Sequence, residues 1–136
     1  MINLSKEVFR IQKEQDVILF RNRLREMAVR IGMSLVNQTK LITAASELVR
    51  NMLKYAGSGT ATIEIVSVDR KTGLRIVFED KGPGIEDLRL AMQDGYSTSR
   101  SLGLGLPGAK RLVNEFNIKS VVGEGTTITV LRWKNG

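Results

Sequence analysis

Glu47 and Asn51 are the first pair of side chains whose types and spacing suggest chemistry. They lie four residues apart in a segment with helical periodicity, so they project from the same face of the predicted helix. The glutamate could accept a proton from an attacking hydroxyl group. The asparagine could give Mg²⁺ one neutral oxygen, with phosphates and water at the other positions of the ion. The alternative is the ordinary solvated face of an amphipathic helix.

A second candidate group, Asp80, Gly82 and Gly84, follows a predicted strand. The two glycines allow a sharp turn and let a flat ligand approach the backbone. The Asp80 carboxylate only accepts hydrogen bonds, so it suits the exocyclic amine of adenine, where guanine has a carbonyl. The alternative is a tight turn that begins with aspartate.

A third group, Gly103, Leu104, Gly105 and Gly108, opens a predicted helix. Glycines let backbone amides point at phosphates, and a helix N-terminus favours negative charge. The group is not a Walker loop, because no Gly-Lys-Ser or Gly-Lys-Thr follows, and no strand directly precedes it as a dinucleotide fingerprint requires. A flexible loop before a helix is the alternative.

Two further segments could complete a phosphate and nucleotide site. Ser97 and Thr98 belong to a short, hydroxyl-rich segment between the glycine groups, which is either a lid that closes over phosphates or an exposed loop. Gly125 and Thr126 follow near the C-terminus and are also compatible with a plain hairpin turn. Each motif alone is weak evidence for a site.

The elements that must position these residues follow from hydrophobic periodicity and turn residues. The pattern predicts two long helices near the N-terminus, the second beginning at Ser34 or Asn37 and closed by Gly57. The predicted elements are a strand at 8–11, helices at 16–30 and to about 55, strands at 60–68 and 73–79, a helix at 106–116, and strands at 118–122 and 126–133. Helices and strands do not strictly alternate, which favours a two-layer α/β (α+β) sandwich.

Composition bounds the function classes. The 136 residues predict a single domain, 1–136, and neither an apolar span nor a signal peptide is evident, so a cytoplasmic protein is expected. The chain contains no cysteine and no histidine, which excludes thiolate chemistry, a serine–histidine triad and a phosphoacceptor histidine within it. The net charge of +7 is dispersed and aromatic residues are 5%, so phosphates and an acidic protein partner are favoured over nucleic acid or membrane.

The order of these motifs resembles the GHKL superfamily of gyrase B, heat-shock chaperones, histidine kinases and MutL. The resemblance runs from about residue 39 to residue 133 and implies a Bergerat-type ATP-binding fold, with a mixed, mostly antiparallel sheet and helices on one face. Within the superfamily, the chain is most similar to the anti-sigma-factor kinases, and among them to the stand-alone switch kinases of the stressosome. The stretches that carry this similarity are 46–51, 79–85, 95–99, 105–108 and 123–126.

The resemblance implies a role for each motif. Glu47 would be the general base, and Asn51 would hold Mg²⁺. The implied ATP-binding set is Asn51, Asp80, Gly82, Gly84, Ser97, Thr98, Gly103, Leu104, Gly105, Gly108 and Thr126. One departure is Tyr55, which stands where many relatives carry histidine.

The function implied by the resemblance is an ATP-dependent protein serine/threonine kinase. It would phosphorylate STAS-domain partners in a bacterial stress-signalling partner switch, and then be released to activate a PP2C-type phosphatase. The alternative is an ATP-gated protein-binding module of the anti-sigma type without phosphotransfer. A gyrase-type motor is not expected, because 136 residues leave no room for its further domain.

Overall fold

The computed structural model describes residues 2–93 and 105–136, with side chains from residue 5 onward. Within them, five strands and four helices follow the order β1, α1, α2, β2, β3, α3, α4, β4, β5. Their bounds are β1 Ile2–Ile11, α1 Glu14–Arg30, α2 Leu35–Ala56, β2 Gly59–Val68, β3 Lys71–Asp80, α3 Leu88–Ala91, α4 Gly105–Arg111, β4 Glu115–Val121 and β5 Gly125–Trp133.

The strands form one sheet in the order β1-β2-β3-β5-β4. Every pairing among the described strands is antiparallel, without the parallel pair that a mixed sheet would include. The expected two-layer α/β architecture with a mostly antiparallel sheet is confirmed. This order puts β3 and β5 side by side at the centre, so the end of β3 lies beside the start of β5.

The core lies between the sheet and the helices. Alternate residues of the central strands enter it, as period-two strands with one covered face require, and Ile63, Ile76 and Val130 are fully buried. From the helix layer, Phe20 of α1 contacts Phe78 of β3 edge-to-face, with ring centroids 6.1 Å apart.

The second helix matches its sequence signals closely. Ser34 is the N-cap, and its hydroxyl accepts a hydrogen bond from the Asn37 amide at 3.2 Å. The helix ends at Gly57, as predicted. Arg50 and Lys54 are exposed on the face opposite the core, whereas Glu47 is only 4% exposed. The solvated-face alternative is therefore wrong for Glu47.

Three predicted boundaries are wrong by three or more residues: the start of β1, the end of α4 and the start of β4, which begins at Glu115 rather than at residue 118. Strand β1 begins at Ile2 rather than at residue 8, because it pairs with β2 along almost its whole length. Helix α4 ends at Arg111 rather than at residue 116, since Phe116 pairs with Val130 in the sheet. None of the helices in the described part of the chain has the length and apolarity needed to span a membrane.

Candidate functional site

A cavity of about 290 Å³ opens between α2, the end of β3, the start of α4 and the start of β5. The floor of the cavity is mostly apolar, and polar groups from separate segments converge at its wall. The lining residues are Leu48, Asn51, Met52, Tyr55, Ala56, Phe78, Asp80, Pro83, Gly84, Ile85, Ala91, Gly105, Leu106, Thr126 and Ile128. An apolar cleft with a few convergent polar groups is typical of a site for a flat organic ligand.

Asp80 lies at the end of β3 and is half-buried. Its Oδ1 accepts a hydrogen bond from the Gly82 amide at 2.9 Å, which holds the carboxylate in place and leaves Oδ2 available. Thr126 is paired with Asp80 across β3 and β5, and both residues line the cavity. An acceptor and a hydroxyl group thus stand side by side at the same end of the sheet.

Two glycines let the backbone segments around Asp80 approach each other. Gly84 has a φ of 78°, and a Cβ there would lie 2.5 Å from the Val121 carbonyl oxygen. Gly125 has a φ of 139°, and a Cβ there would overlap the Asp80 carbonyl oxygen. A side chain at Gly84 would push the end of β4 away from the loop after β3, and a side chain at Gly125 would push β5 away from the end of β3.

Asn51 lines the cavity from α2, half-buried, so its amide is available to a ligand. Glu47 lies one turn earlier on the same helix but is not part of the cavity wall. Its Oε2 is buried and has no hydrogen-bond partner among the described residues. Such an unpartnered oxygen costs free energy, which makes Glu47 an unusual residue for a purely structural position.

The environment of Glu47 changes its acidity. Burial raises the pKa of the Glu47 carboxyl above its usual range, because the charged form loses its hydration. Arg50 and Lys54, on the same helix, partly oppose this shift by favouring the carboxylate. A carboxyl group with a raised pKa is a stronger base once ionised, which suits proton abstraction near neutral pH.

The glycine group at the start of α4 is described only in part. Gly105 begins α4 with a φ of 53° and lines the cavity, while Gly108 is buried within the helix and is not in the wall. The other predicted residues of this region lie outside the described residues: Ser97, Thr98, Gly103 and Leu104. Gly82 does not line the cavity either; it packs against Ala56 at the end of α2.

Two polar residues at or beside the cavity are missing from the predicted ATP-binding set. Tyr55 lines the cavity one turn after Asn51, and its position on the Asn51 face of the helix is the signal that could have found it. Ser120 of β4 contacts Thr126, with 2.8 Å between the two hydroxyl oxygens. Only the strand pairing shows that contact, so no sequence pattern points to Ser120.

The site fits a nucleotide with its metal better than a free metal ion. Among the described residues, no group of three or more acidic side chains could hold a metal ion. One amide oxygen at Asn51 suits Mg²⁺ that is held mainly by phosphates and water. The Asp80 carboxylate suits the amino edge of adenine. The apolar floor of the cavity suits the flat faces of the ring.

Comparison with known proteins shows a matching family and close relatives. The model of the family "Histidine kinase-, DNA gyrase B-, and HSP90-like ATPase" matches residues 36–135. The chain is 49% identical over 124 residues to the serine/threonine-protein kinase RsbT of Bacillus subtilis, covering 91% of this chain and 93% of that protein. It is 26% identical over 137 residues to the anti-sigma F factor of Caldanaerobacter subterraneus subsp. tengcongensis, covering 96% of this chain and 94% of that factor.

Solved structures show the same fold at low sequence identity. The structure of the RsbU and RsbW domains of Rv1364c from Mycobacterium tuberculosis aligns with a TM-score of 0.65 and 22% identity. The alignment covers 95% of this chain and 32% of that one, so this chain matches about a third of it. The mycobacterial sensor histidine kinase MprB aligns with a TM-score of 0.54 and 18% identity.

Proposed function

This chain belongs to the histidine kinase-, DNA gyrase B- and HSP90-like ATPase family and is an RsbT-like protein serine/threonine kinase; from this premise we propose that it phosphorylates STAS-domain partners in a partner switch. The proposed reaction transfers the γ-phosphoryl group of ATP to a serine or threonine hydroxyl of the partner. The phosphorylated partner then releases the kinase, which activates a PP2C-type phosphatase in the cytoplasm.

One observation carries the proposal for ATP: polar groups from three separate segments converge on a single apolar cavity. Asn51 comes from α2, Asp80 from the end of β3 and Thr126 from the start of β5. In the proposed complex, Asp80 accepts from the adenine amine and Thr126 contacts the neighbouring edge of the base. Asn51 would hold the metal that accompanies the phosphates. Gly105, with the proposed phosphate-binding residues Ser97, Thr98, Gly103, Leu104 and Gly108, wraps the phosphates.

The proposed chemistry is mainly positioning and proton transfer. When bound, Mg²⁺ would neutralise charge that develops on the phosphates. Glu47 is proposed as the group that accepts the proton of the attacking hydroxyl, since it lies one turn before Asn51 and its pKa is raised. The partner supplies the nucleophile, so the chain itself needs no covalent intermediate.

The test is phosphate transfer to STAS proteins from the same genome, with ATP and Mg²⁺, followed by mass spectrometry of the acceptor. Glu47→Ala is expected to lower the transfer rate by at least about 100-fold, the scale of general-base catalysis, while ATP affinity stays within about twofold. Glu14→Ala is the matched control, because Glu14 is exposed on α1 and does not line the cavity. Normal transfer by Glu47→Ala would show that Glu47 is not the base.

A second candidate function is an ATP-gated binding module that transfers no phosphate. Two observations favour it: the similarity to an anti-sigma F factor, and the burial of Glu47 outside the cavity wall. A base must reach the hydroxyl group that it deprotonates. If ATP changes partner binding but mass spectrometry finds no phosphorylated residue on any partner, the binding module is the better account.

A further inference from the structure

The outward faces of α1 and α2, which point away from the sheet, carry charge of mostly one sign. Two exposed carboxylates lie on these helices, and one of them, Glu14, is in the first turn of α1, where the helix N-terminus favours it. The other is Glu26. None of the exposed cations of the two helices forms an ion pair with another described residue. These cations are Arg25, Arg30, Lys40, Arg50 and Lys54.

Arg23 of α1 shows, by contrast, how a cation is used inside the fold. Its Nη2 lies 2.6 Å from Oε2 of Glu7, so it ties α1 to β1, and its Nη1 lies 3.8 Å from Oε2 of Glu26. Arg23 is therefore not available to a partner. Arg25 lies two residues later, is exposed and has no such contact among the described residues. The fold itself does not use the charge of Arg25.

Apolar side chains are exposed among these cations. Ile18, Arg25 and Val29 are seven and four residues apart, so they project from one face of α1. Single exposed apolar residues are ordinary, but a group of them on two adjacent helices is typical of an interaction site. In addition to Tyr55 of the cavity wall, the large exposed hydrophobic residues of α1 and α2 are Ile18, Leu19, Val29, Leu35 and Val36.

Glu47 belongs to the same outward side of α2. Helical spacing places Val36, Lys40, Glu47 and Arg50 along one stripe of the helix. Lys40 lies two turns before Glu47, and Arg50 lies one turn after it. Since Glu47 is not in the wall of the adenine cavity, an acceptor hydroxyl that it deprotonates must approach across the outward side of α2. The segment that carries this hydroxyl then lies beside the cations.

We propose that the outward faces of α1 and α2 form one docking surface for the partner that carries the acceptor hydroxyl. The partner presents carboxylates and apolar side chains around its acceptor residue. The cations steer and orient the carboxylates, and the apolar residues exclude water from the contact. This inference rests on the proposed function, since it takes Glu47 as the group that the acceptor must reach. The docking surface consists of Ile18, Arg25, Val29, Val36, Lys40 and Arg50.

The test measures binding of a STAS acceptor by calorimetry and its phosphorylation by steady-state kinetics. Arg25→Glu and Lys40→Glu are each expected to raise the dissociation constant and the KM for the acceptor about tenfold, because like charges then face each other. The kcat at saturating acceptor and the affinity for ATP should stay within about twofold, since neither residue lines the cavity. Lys119→Glu is the matched control, because Lys119 is exposed on β4 and the net charge changes equally.

Two further measurements make the test specific. Surface carboxylates of the acceptor are replaced by lysine one at a time, and at least one replacement should restore the affinity of Arg25→Glu or Lys40→Glu towards the wild-type value. Val29→Ser is expected to weaken acceptor binding about threefold through lost apolar contact. Val8→Ser on β1 is its control, since Val8 is 62% exposed and Val29 is 60% exposed. If Val8→Ser weakens binding as much as Val29→Ser, the apolar part of the surface is refuted.

The outcomes separate this inference from the proposed function. If the wild-type chain phosphorylates the acceptor and both Arg25→Glu and Lys40→Glu behave like Lys119→Glu, the docking surface is refuted and the kinase reaction stands. If the acceptor binds with the expected dependence on Arg25 and Lys40 but receives no phosphate, the surface stands and the proposed reaction fails. If the wild-type chain binds duplex DNA and no acceptor, the cations serve nucleic acid and both proposals fail.

Discussion

At Glu47, an ionisable carboxyl group lies in the buried part of α2 with one oxygen unpartnered. An ionised side chain held this way lowers the stability of the fold, since a buried charged oxygen without a hydrogen-bond partner costs free energy. Its raised pKa and its position one turn before Asn51 support the role in proton transfer that we propose for it. Removing the charge should therefore raise the free energy of unfolding and lower the rate of phosphate transfer.

Glu47→Gln is expected to stabilise the protein against urea at pH 8 by about 1–2 kcal/mol, because the neutral amide is less costly to bury than the carboxylate. Below the ordinary glutamate pKa of about 4.3, the carboxyl group is neutral in both states, and the advantage should vanish. As pH rises above that value, the unfolded chain ionises first. The wild-type chain therefore loses stability relative to Glu47→Gln.

The measurement is the free energy of unfolding of both chains from pH 4 to pH 8. Glu14→Gln is the control, since Glu14 is exposed. A difference between Glu47→Gln and wild type that does not depend on pH would show that Glu47 is not the titrating group.

Sequence patterns predicted which helix face carries Glu47 and Asn51, but not how deeply each side chain is buried or what it contacts. The spacing of Glu47 and Asn51 predicted a shared helix face, and both residues do come from α2. Their difference in burial depends on what the rest of the fold packs over each residue. Ser120 was missed for the same reason, because its contacts come from strand register and not from a pattern along the chain.

Among the elements, local signals predicted α2 well and α4 poorly. Ser34 and Gly57 set the ends of α2 through their own backbone and side-chain preferences. The local sequence after Arg111 is compatible with a longer helix. The chain instead forms a strand there, because it pairs with β5. The Asn114 amide donates to the Leu131 carbonyl at 2.8 Å, and the strand β4 follows. The choice between helix and strand is made by β5, which lies later in the sequence.

The β2–β3 hairpin contains a strained turn. Val68 and Lys71 are paired, so the loop is Asp69 and Arg70, with φ values of 46° and 69°. Two-residue turns with positive φ at both positions favour Asp-Gly, because a Cβ is unfavourable in the second position.

Arg70→Gly is expected to raise the free energy of unfolding by about 0.5–1 kcal/mol, since it relieves the left-handed strain at a cost in unfolded-state entropy. Urea unfolding measures the change. Arg70→Ala, which removes the charge and keeps the Cβ, is the matched control and should give no such gain. ATP affinity should not change, because this turn lies at the opposite end of β3 from Asp80. Equal stabilisation by both variants would show that charge, not backbone strain, is responsible.

Across the whole molecule, the cavity depends on the sheet order more than on any one segment. Asn51, Asp80 and Thr126 are far apart along the chain and meet because β3 and β5 are adjacent under α2. The order of motifs predicted this convergence through the family resemblance, whereas periodicity alone predicted the elements without their pairing. Residues before the matched family region also belong to this core, since the Phe20 ring of α1 contacts both Phe9 and Phe78.

A ligand that binds this cavity therefore links elements from the whole fold and should stabilise it as a unit. With ATP and Mg²⁺ at about 100 times the dissociation constant, the gain is about 2.7 kcal/mol, or roughly 10 °C in Tm for a chain of this size. Asp80→Ala should lose most of that increase in a thermal melt.

Asn51→Ala should keep the increase due to ATP alone and lose the further increase due to Mg²⁺, because only its amide is proposed to hold the ion. An unchanged Mg²⁺ increment in Asn51→Ala would place the metal elsewhere, and an unchanged ATP increment in Asp80→Ala would place the adenine elsewhere.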